Sequence, residues 1–200
     1  MDHLLKFYNQ ATQKVHTLLE QEIDPRFEYH NLRHTLDVLE QAENIGAAEN
    51  IDRSEMLLLK IAAIFHDTGF TVSRKNHEQH SVAIFLQDVS TFPFSELEKN
   101  TVCACILATR MPQSPQSQLE RILCDADLDY LGRDDFFEIG NALHREMLYA
   151  QEIAPDLHWD NLQIKFLENH RYKTDYSISV RAAGVADNLR ILQQKMLSGT

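Results

Sequence analysis

The sequence predicts an all-α fold, folded as a single domain over residues 1 to 200. Three observations carry that expectation. Apolar residues recur with the 3.6-residue period of a helix in one segment after another. No segment alternates apolar and polar residues with β-branched enrichment, so strands have no signature. Candidate helix starts carry capping chemistry, with Ser95 three residues before Glu98 and Ser117 three before Glu120. Six glycines and five prolines leave no room for a linker, and no repeat of solenoid period is present.

Taken in order, Leu4, Leu5, Tyr8, Ala11, Val15, Leu18 and Leu19 place a first amphipathic helix at 2–20, closed off by Pro25. A second helix is expected from Tyr29 to about Glu49, with Leu32, Leu36, Leu39 and Ile45 as its core stripe, shortened if Gly46 interrupts it. Asp52 or Ser54 caps a third, Glu55 to Asp67, which is apolar nearly all round and therefore belongs at the centre of the fold. Gly69 ends it, and residues 70–75 read as a loop. A fourth helix follows from Asn76, a good N-cap, and stops before Pro93. The two capping boxes announce helices at about 95–110 and 117–130, and three more are expected at 133–153, 159–170 and 175–196.

Composition sets the functional bounds. A hydrophobic content of 44% with 24% charged residues describes a globular chain able to bury one good core. A formal charge of −11 argues against nonspecific binding to nucleic acid or to an anionic membrane, both of which require a basic surface. The start Met-Asp-His-Leu-Leu-Lys lacks the pattern of a secretory signal, and the longest apolar stretch, Met56 to Phe65, contains Lys60 and is too short to span a bilayer. A cytoplasmic protein is expected. Three cysteines, Cys103, Cys105 and Cys124, form no Cys-x-x-Cys and are read as buried, reduced thiols.

The chemistry gathers at a few histidines and aspartates. His30 and His34 are four apart, which on a helix puts both imidazoles on one face. His66-Asp67 closes the most apolar helix, and Asp125-Ala-Asp127 closes another. Two imidazoles with two carboxylates suit a hard or borderline divalent cation. Asp125 and Asp127 are about 200° apart around a helix, so only one of them is expected to reach such a cation. Asp37, one turn from His34, is a candidate to orient that ring. His144, His158 and His170 have no partner pattern and are read as structural.

Taken together, His34, His66-Asp67 and Asp127 resemble the His, His-Asp, Asp pattern of the HD superfamily of metal-dependent phosphohydrolases, a family of helical bundles. Ile-Phe-His66-Asp67-Thr-Gly69 looks like its central motif, and Cys-Asp-Ala-Asp127-Leu like its last, which favours Asp127 over Asp125. Tyr29, His30, Asn31, His34, Asp37 and Val38 are also similar to the first motif of class I cyclic-nucleotide phosphodiesterases. These motifs span about 29–131. The resemblance implies that His34, His66, Asp67 and Asp127 hold a divalent ion (Mn, Mg, Fe, Zn, Co or Ni), that Asp67 acts in catalysis, and that His30 protonates the leaving oxygen. Arg33, Arg74 and Lys75 are candidates to contact phosphate, and His77 and Glu78, in a segment similar to one after the central motif of small HD hydrolases, to approach the substrate. The expected substrate is a small phosphate ester, a nucleotide by preference, with a homodimer allowed. Two rival readings are a cyclic-nucleotide phosphodiesterase and a catalytically silent HD module that senses a nucleotide or binds a protein. The chain lacks the further His after His-Asp that the phosphodiesterases carry, having Thr68, Gly69 and Phe70 there.

Overall fold

The computed structural model of the protein describes residues 1–155 and 158–198, and the described residues contain helices and no strand. Among the described residues nine α-helices run in the order α1 (Asp2–Glu22), α2 (Leu32–Ala48), α3 (Arg53–Phe65), α4 (His77–Val89), α5 (Glu96–Ala108), α6 (Gln118–Asp127), α7 (Phe136–Tyr149), α8 (Trp159–Asn169) and α9 (Asp175–Ser198). Two 3-10 turns, Thr68–Thr71 and Asp129–Gly132, follow α3 and α6. The fold is all-α, as the periodicity requires.

α3 is the central element. From Leu57 to Phe65 every residue except Lys60 is buried, against α1 through Phe7, Ala11 and Val15, α2 through Val38, Ala42 and Ile45, and α5 and α6 through Ile106 and Ile122. Phe7, Phe65, Phe85 and Phe94 form an aromatic cluster with ring centroids 5.1–6.3 Å apart, Phe7 stacked on Phe65 and the other pairs edge-to-face. Each such side chain contributes about 1.5–3 kcal/mol on burial. A second, smaller core joins Tyr29, Leu128, Tyr130, Leu131, Phe136, Leu167 and Leu192 beneath α7, α8 and α9. No helix among the described residues is long and apolar enough to cross a membrane.

Several elements differ from expectation for local reasons. α2 starts at Leu32 rather than Tyr29, because Asn31 adopts an extended conformation and its side chain accepts the N–H groups of Arg33 and His34. The buried face of α2 runs through His34, Thr35, Val38, Ala42 and Ile45, and Leu36, expected in that stripe, is 42% exposed. Gly46 does not shorten the helix: an added Cβ there would stand 2.9 Å from both Ile51 and Met56, so the glycine admits α3 and the turn before it. Asp52, not Ser54, caps α3 and forms a full capping box with Glu55. Asn76 has a left-handed backbone and no capping hydrogen bond, so it turns the chain into α4 without the N-cap role expected of it. Ser95 and Glu98 form a full box, whereas Glu120 answers Ser117 by accepting Gln116 N–H at 2.7 Å. α6 ends at Asp127 and α7 begins at Phe136; between them Arg133 reaches Asp37, Asp129 and Asp135. All three cysteines are free, Cys105 and Cys124 buried and Cys103 half-buried.

Candidate metal centre and its cavity

Three helix ends meet at one point. His34 lies in the first turn of α2, where the Asn31 cap fixes the chain's direction, and its ring tilts over Tyr29 at 4.5 Å. His66 is the residue after α3 and is fully buried. Its Nδ1–H donates to the Ala63 carbonyl at 2.7 Å, which leaves the Nε2 lone pair of the neutral ring aimed inward. Asp127 closes α6. Imidazole nitrogens of His34 and His66 and a carboxylate oxygen of Asp127 lie within 4.8 Å of one another. His34 Nε2 is 3.4 Å from His66 Nε2 and 3.2 Å from Asp127 Oδ1.

Asp67 stands beside this trio, its Oδ2 3.3 Å from His34 Nε2 and 3.2 Å from His66 Nε2. That oxygen is buried and has no hydrogen-bond partner. An orphaned carboxylate oxygen facing two imidazole nitrogens fits a divalent cation, which satisfies all three at once; atoms sharing one ion at about 2.0–2.2 Å are spaced about 3–3.6 Å apart. The same four groups also pair directly with one another, and a cation would take the place of the protons that this pairing holds on the rings. Burial works against the charged form of each group, but the pairing prevails: it holds His34 up at about 9, His66 well above the usual histidine range, Asp127 down at about 2 and Asp67 well below its ordinary value.

The turn after His66 is held from the other side. Ser81 Oγ donates to the His66 carbonyl at 2.7 Å and accepts Gly69 N–H at 2.8 Å. A Cβ on Gly69 would stand 1.9 Å from the His77 carbonyl oxygen, so this glycine permits the close approach of α4 and its role is wider than ending a helix.

His30 is not on α2. It sits in the preceding loop, so the shared helix face expected for His30 and His34 does not exist, although the rings come within 6.0 Å. His30 Nδ1 bonds the carboxylate of Glu146, whose other oxygen accepts the backbone N–H groups of Tyr29 at 2.8 Å and His30 at 2.9 Å. Burial pushes the fully enclosed Glu146 carboxyl up, but His30 and Arg74 outweigh it and hold it at about 2. Arg74 pairs with Glu146 and forks onto Glu152 at 2.8 and 2.9 Å. Phe70 stacks on His30 at 4.1 Å.

Glu146 was not among the sequence candidates, and nothing in its local pattern distinguishes it from other helical glutamates. The other candidates divide. His77 Nε2 is 3.5 Å from Asp67 Oδ1, and buried Glu78 lies next to it. Arg33 lies outside the cavity, 81% exposed and 3.6 Å from Glu138, and Lys75 is exposed and also outside it. Asp37 pairs with Arg133 at 2.8 Å and so is not the partner of His34. Asp125 faces away from the cluster, fully buried, accepting the N–H groups of Lys173 and Thr174 and the Thr174 hydroxyl at 2.8–3.0 Å.

The cluster opens into a cavity of about 530 Å³ whose wall includes Asp67, Asp127, His30, Arg74, His77 and Glu78 and continues between α7 and α8. With this geometry in place, the comparisons with known proteins become specific. The family model of the HD domain matches residues 31–130, which hold His34, His66, Asp67 and Asp127. The chain also resembles the crystal structure of a predicted HD superfamily hydrolase from an uncultured Thermotogales bacterium, with 19% identity and a TM-score of 0.61 over 96% of this chain and 92% of that one. That likeness is one of fold. No curated protein matches the chain.

Proposed function

The chain belongs to the HD domain family, and from that premise we propose that it is a metal-dependent phosphohydrolase acting on a phosphate ester of a small molecule. The observation that carries this reading is the placement of a carboxylate-oriented histidine, His30, on the wall of the same cavity into which Asp67 and Asp127 open. His34, His66, Asp67 and Asp127 would hold the divalent ion, which when bound supplies Lewis acidity to a water and to a phosphoryl oxygen. The residues supply the rest. Glu146 fixes the His30 ring through Nδ1, so that Nε2 is the nitrogen that exchanges a proton with the substrate, and protonated His30 gives that proton to the leaving oxygen. Arg74 braces Glu146 and has its charge committed to two carboxylates. Arg110 also lines the cavity and has no carboxylate partner among the described residues, which makes it the better candidate to meet a phosphate. His77 and Glu78 border the substrate on the Asp67 side.

The test turns on the leaving group. His30→Ala should keep its metal and lose roughly 10²- to 10⁴-fold in turnover on an alkyl phosphoester. A p-nitrophenyl ester, whose leaving group departs without a proton, should suffer far less. Equal losses on the two esters would remove His30 from the acid role, and absence of phosphate release by the metal-loaded wild type across a panel of esters would remove the reading.

A further inference from the structure

His30 and the carboxylate that orients it come from opposite sides of the family-matched segment. Residues 31–130 fit the family model, His30 stands just before them, and Glu146 follows them on α7. The same helix walls the cavity through Leu143 and Met147. One helix therefore covers the cavity and also holds the ring that faces into it.

The two ends of α7 are fastened by different forces. At its start Phe136, 1% exposed, sits in the smaller core, and Gly140 is buried against Gln163. Beyond Gly140 the helix has one buried side chain, and it is the Glu146 carboxylate. The rest of that end is held by polar contacts to the loop before α2 and to Arg74. Arg145 meets Glu28 at 2.6 and 2.7 Å. The Tyr149 hydroxyl donates to Asp24 at 3.2 Å, and the Arg26 guanidinium lies 4.0 Å over the Tyr149 ring. Arg74 joins Glu146 to Glu152 in the turn after the helix.

That difference decides what the helix can do. Lifting an apolar end would put hydrocarbon into water, whereas ion-paired and hydrogen-bonded groups exchange their partners for water at a small net cost. α7 has 14 residues and so is about 21 Å long, and a tilt of about 15° about Phe136 carries its far end roughly 5 Å. That movement draws Glu146 away from His30 and widens the cavity at Met147.

We propose that α7 is a cover on the cavity, hinged at Phe136 and latched at Glu146 and Glu152, and that closing it and orienting His30 are one event. With the cover open, the ring has lost the carboxylate that fixes its Nδ1 proton. With the cover closed, Nε2 is presented to the cavity. The inference rests on the phosphohydrolase reading only in calling His30 an acid.

Linkage supplies the test. If closure holds His30, then His30 holds closure to the same degree, although it lies outside α7. Met147→Cys is introduced into the full chain, the protein is treated with a maleimide under native conditions, and the labelling rate of each cysteine is read by peptide mass spectrometry. Adding His30→Ala should raise labelling at position 147 at least about tenfold, the worth of a hydrogen bond between charged groups. Arg145→Ala and Glu152→Ala should each raise it about two- to fivefold. Arg33→Ala removes an ion pair to Glu138 near the hinge and should leave the rate unchanged. Cys105 and Cys124 are buried outside α7, report opening of the whole fold, and should stay protected in every variant. An unchanged rate in His30→Ala, a rise in Arg33→Ala as large as that in Arg145→Ala, or labelling of Cys105 in step with position 147 overturns the proposal. None of these readings needs turnover, so a failure of the phosphohydrolase reading on the ester panel is a separate result.

Discussion

Glu146→Gln removes one charge and almost no volume from the centre of the His30 arrangement, and its cost can be worked from the structure. The Glu146 carboxyl, ordinarily at 4.5, is held at about 2 by His30 and Arg74 against the opposing effect of burial. A group whose folded-state value is depressed stabilises the folded protein above its unfolded value, here above pH 4.5, and that contribution is lost as pH falls towards 2. At about 1.36 kcal/mol per pH unit the displacement is worth about 3 kcal/mol at neutral pH. Glutamine keeps an oxygen for the Tyr29 and His30 N–H groups but turns an N–H donor towards Arg74, which has only donors to offer, and towards His30 Nδ1, which must switch tautomer to accept it. In urea unfolding at pH 7 the midpoint should fall by roughly 1–2 M, given slopes of about 2–3 kcal/mol/M for small proteins. Repeating the comparison from pH 5 down to 2.5 should show wild type and variant converging. A loss below about 1 kcal/mol at pH 7, or a difference that does not shrink with acid, would refute the claim that Glu146 is an ionised, paired carboxylate.

The two aspartates at the end of α6 should separate cleanly: Asp127→Asn should fold and lose metal, while Asp125→Asn should keep metal and lose about 1–3 kcal/mol of stability, because Asp125 anchors Lys173 and Thr174 at the start of α9. Thermal melts paired with elemental analysis read both, and the opposite ranking would move the ion. Gly69→Ala should cost about 3 kcal/mol or more and disorder the His66-Asp67 turn, because its Cβ meets the His77 backbone at 1.9 Å; an unchanged melting temperature would mean that α4 does not pack there.

The sequence made some of this legible because the chemistry was local. The run from Met56 to Phe65 is too apolar to belong anywhere but the centre, and His66-Asp67 follows it directly. The angular separation of Asp125 and Asp127 was enough to put them in different environments. Asn31 was misread because helical periodicity runs on through Tyr29 and His30, whereas an Asn side chain competes for the first N–H groups and ends the helix there. The α2 stripe was misplaced as well: His34 and Thr35 take the inward face together with Val38 and Ala42, which turns Leu36 outward. Arg33 and Lys75 were chosen by charge alone, and charge says nothing about which way a side chain faces. Glu146 was out of reach for a different reason. It lies 116 residues from His30, and a pairing that distant leaves no trace in period or spacing.

The central claim is that His34, His66, Asp67 and Asp127 hold one divalent cation, and elemental analysis of the wild-type chain beside Asp67→Ala tests it most directly. Asp67 carries one of the two carboxylates of the cluster and an oxygen with no other partner, so the wild type should hold about one equivalent of metal after loading and dialysis and the variant close to none. A full complement of metal in Asp67→Ala, or none in the loaded wild type, would contradict the account.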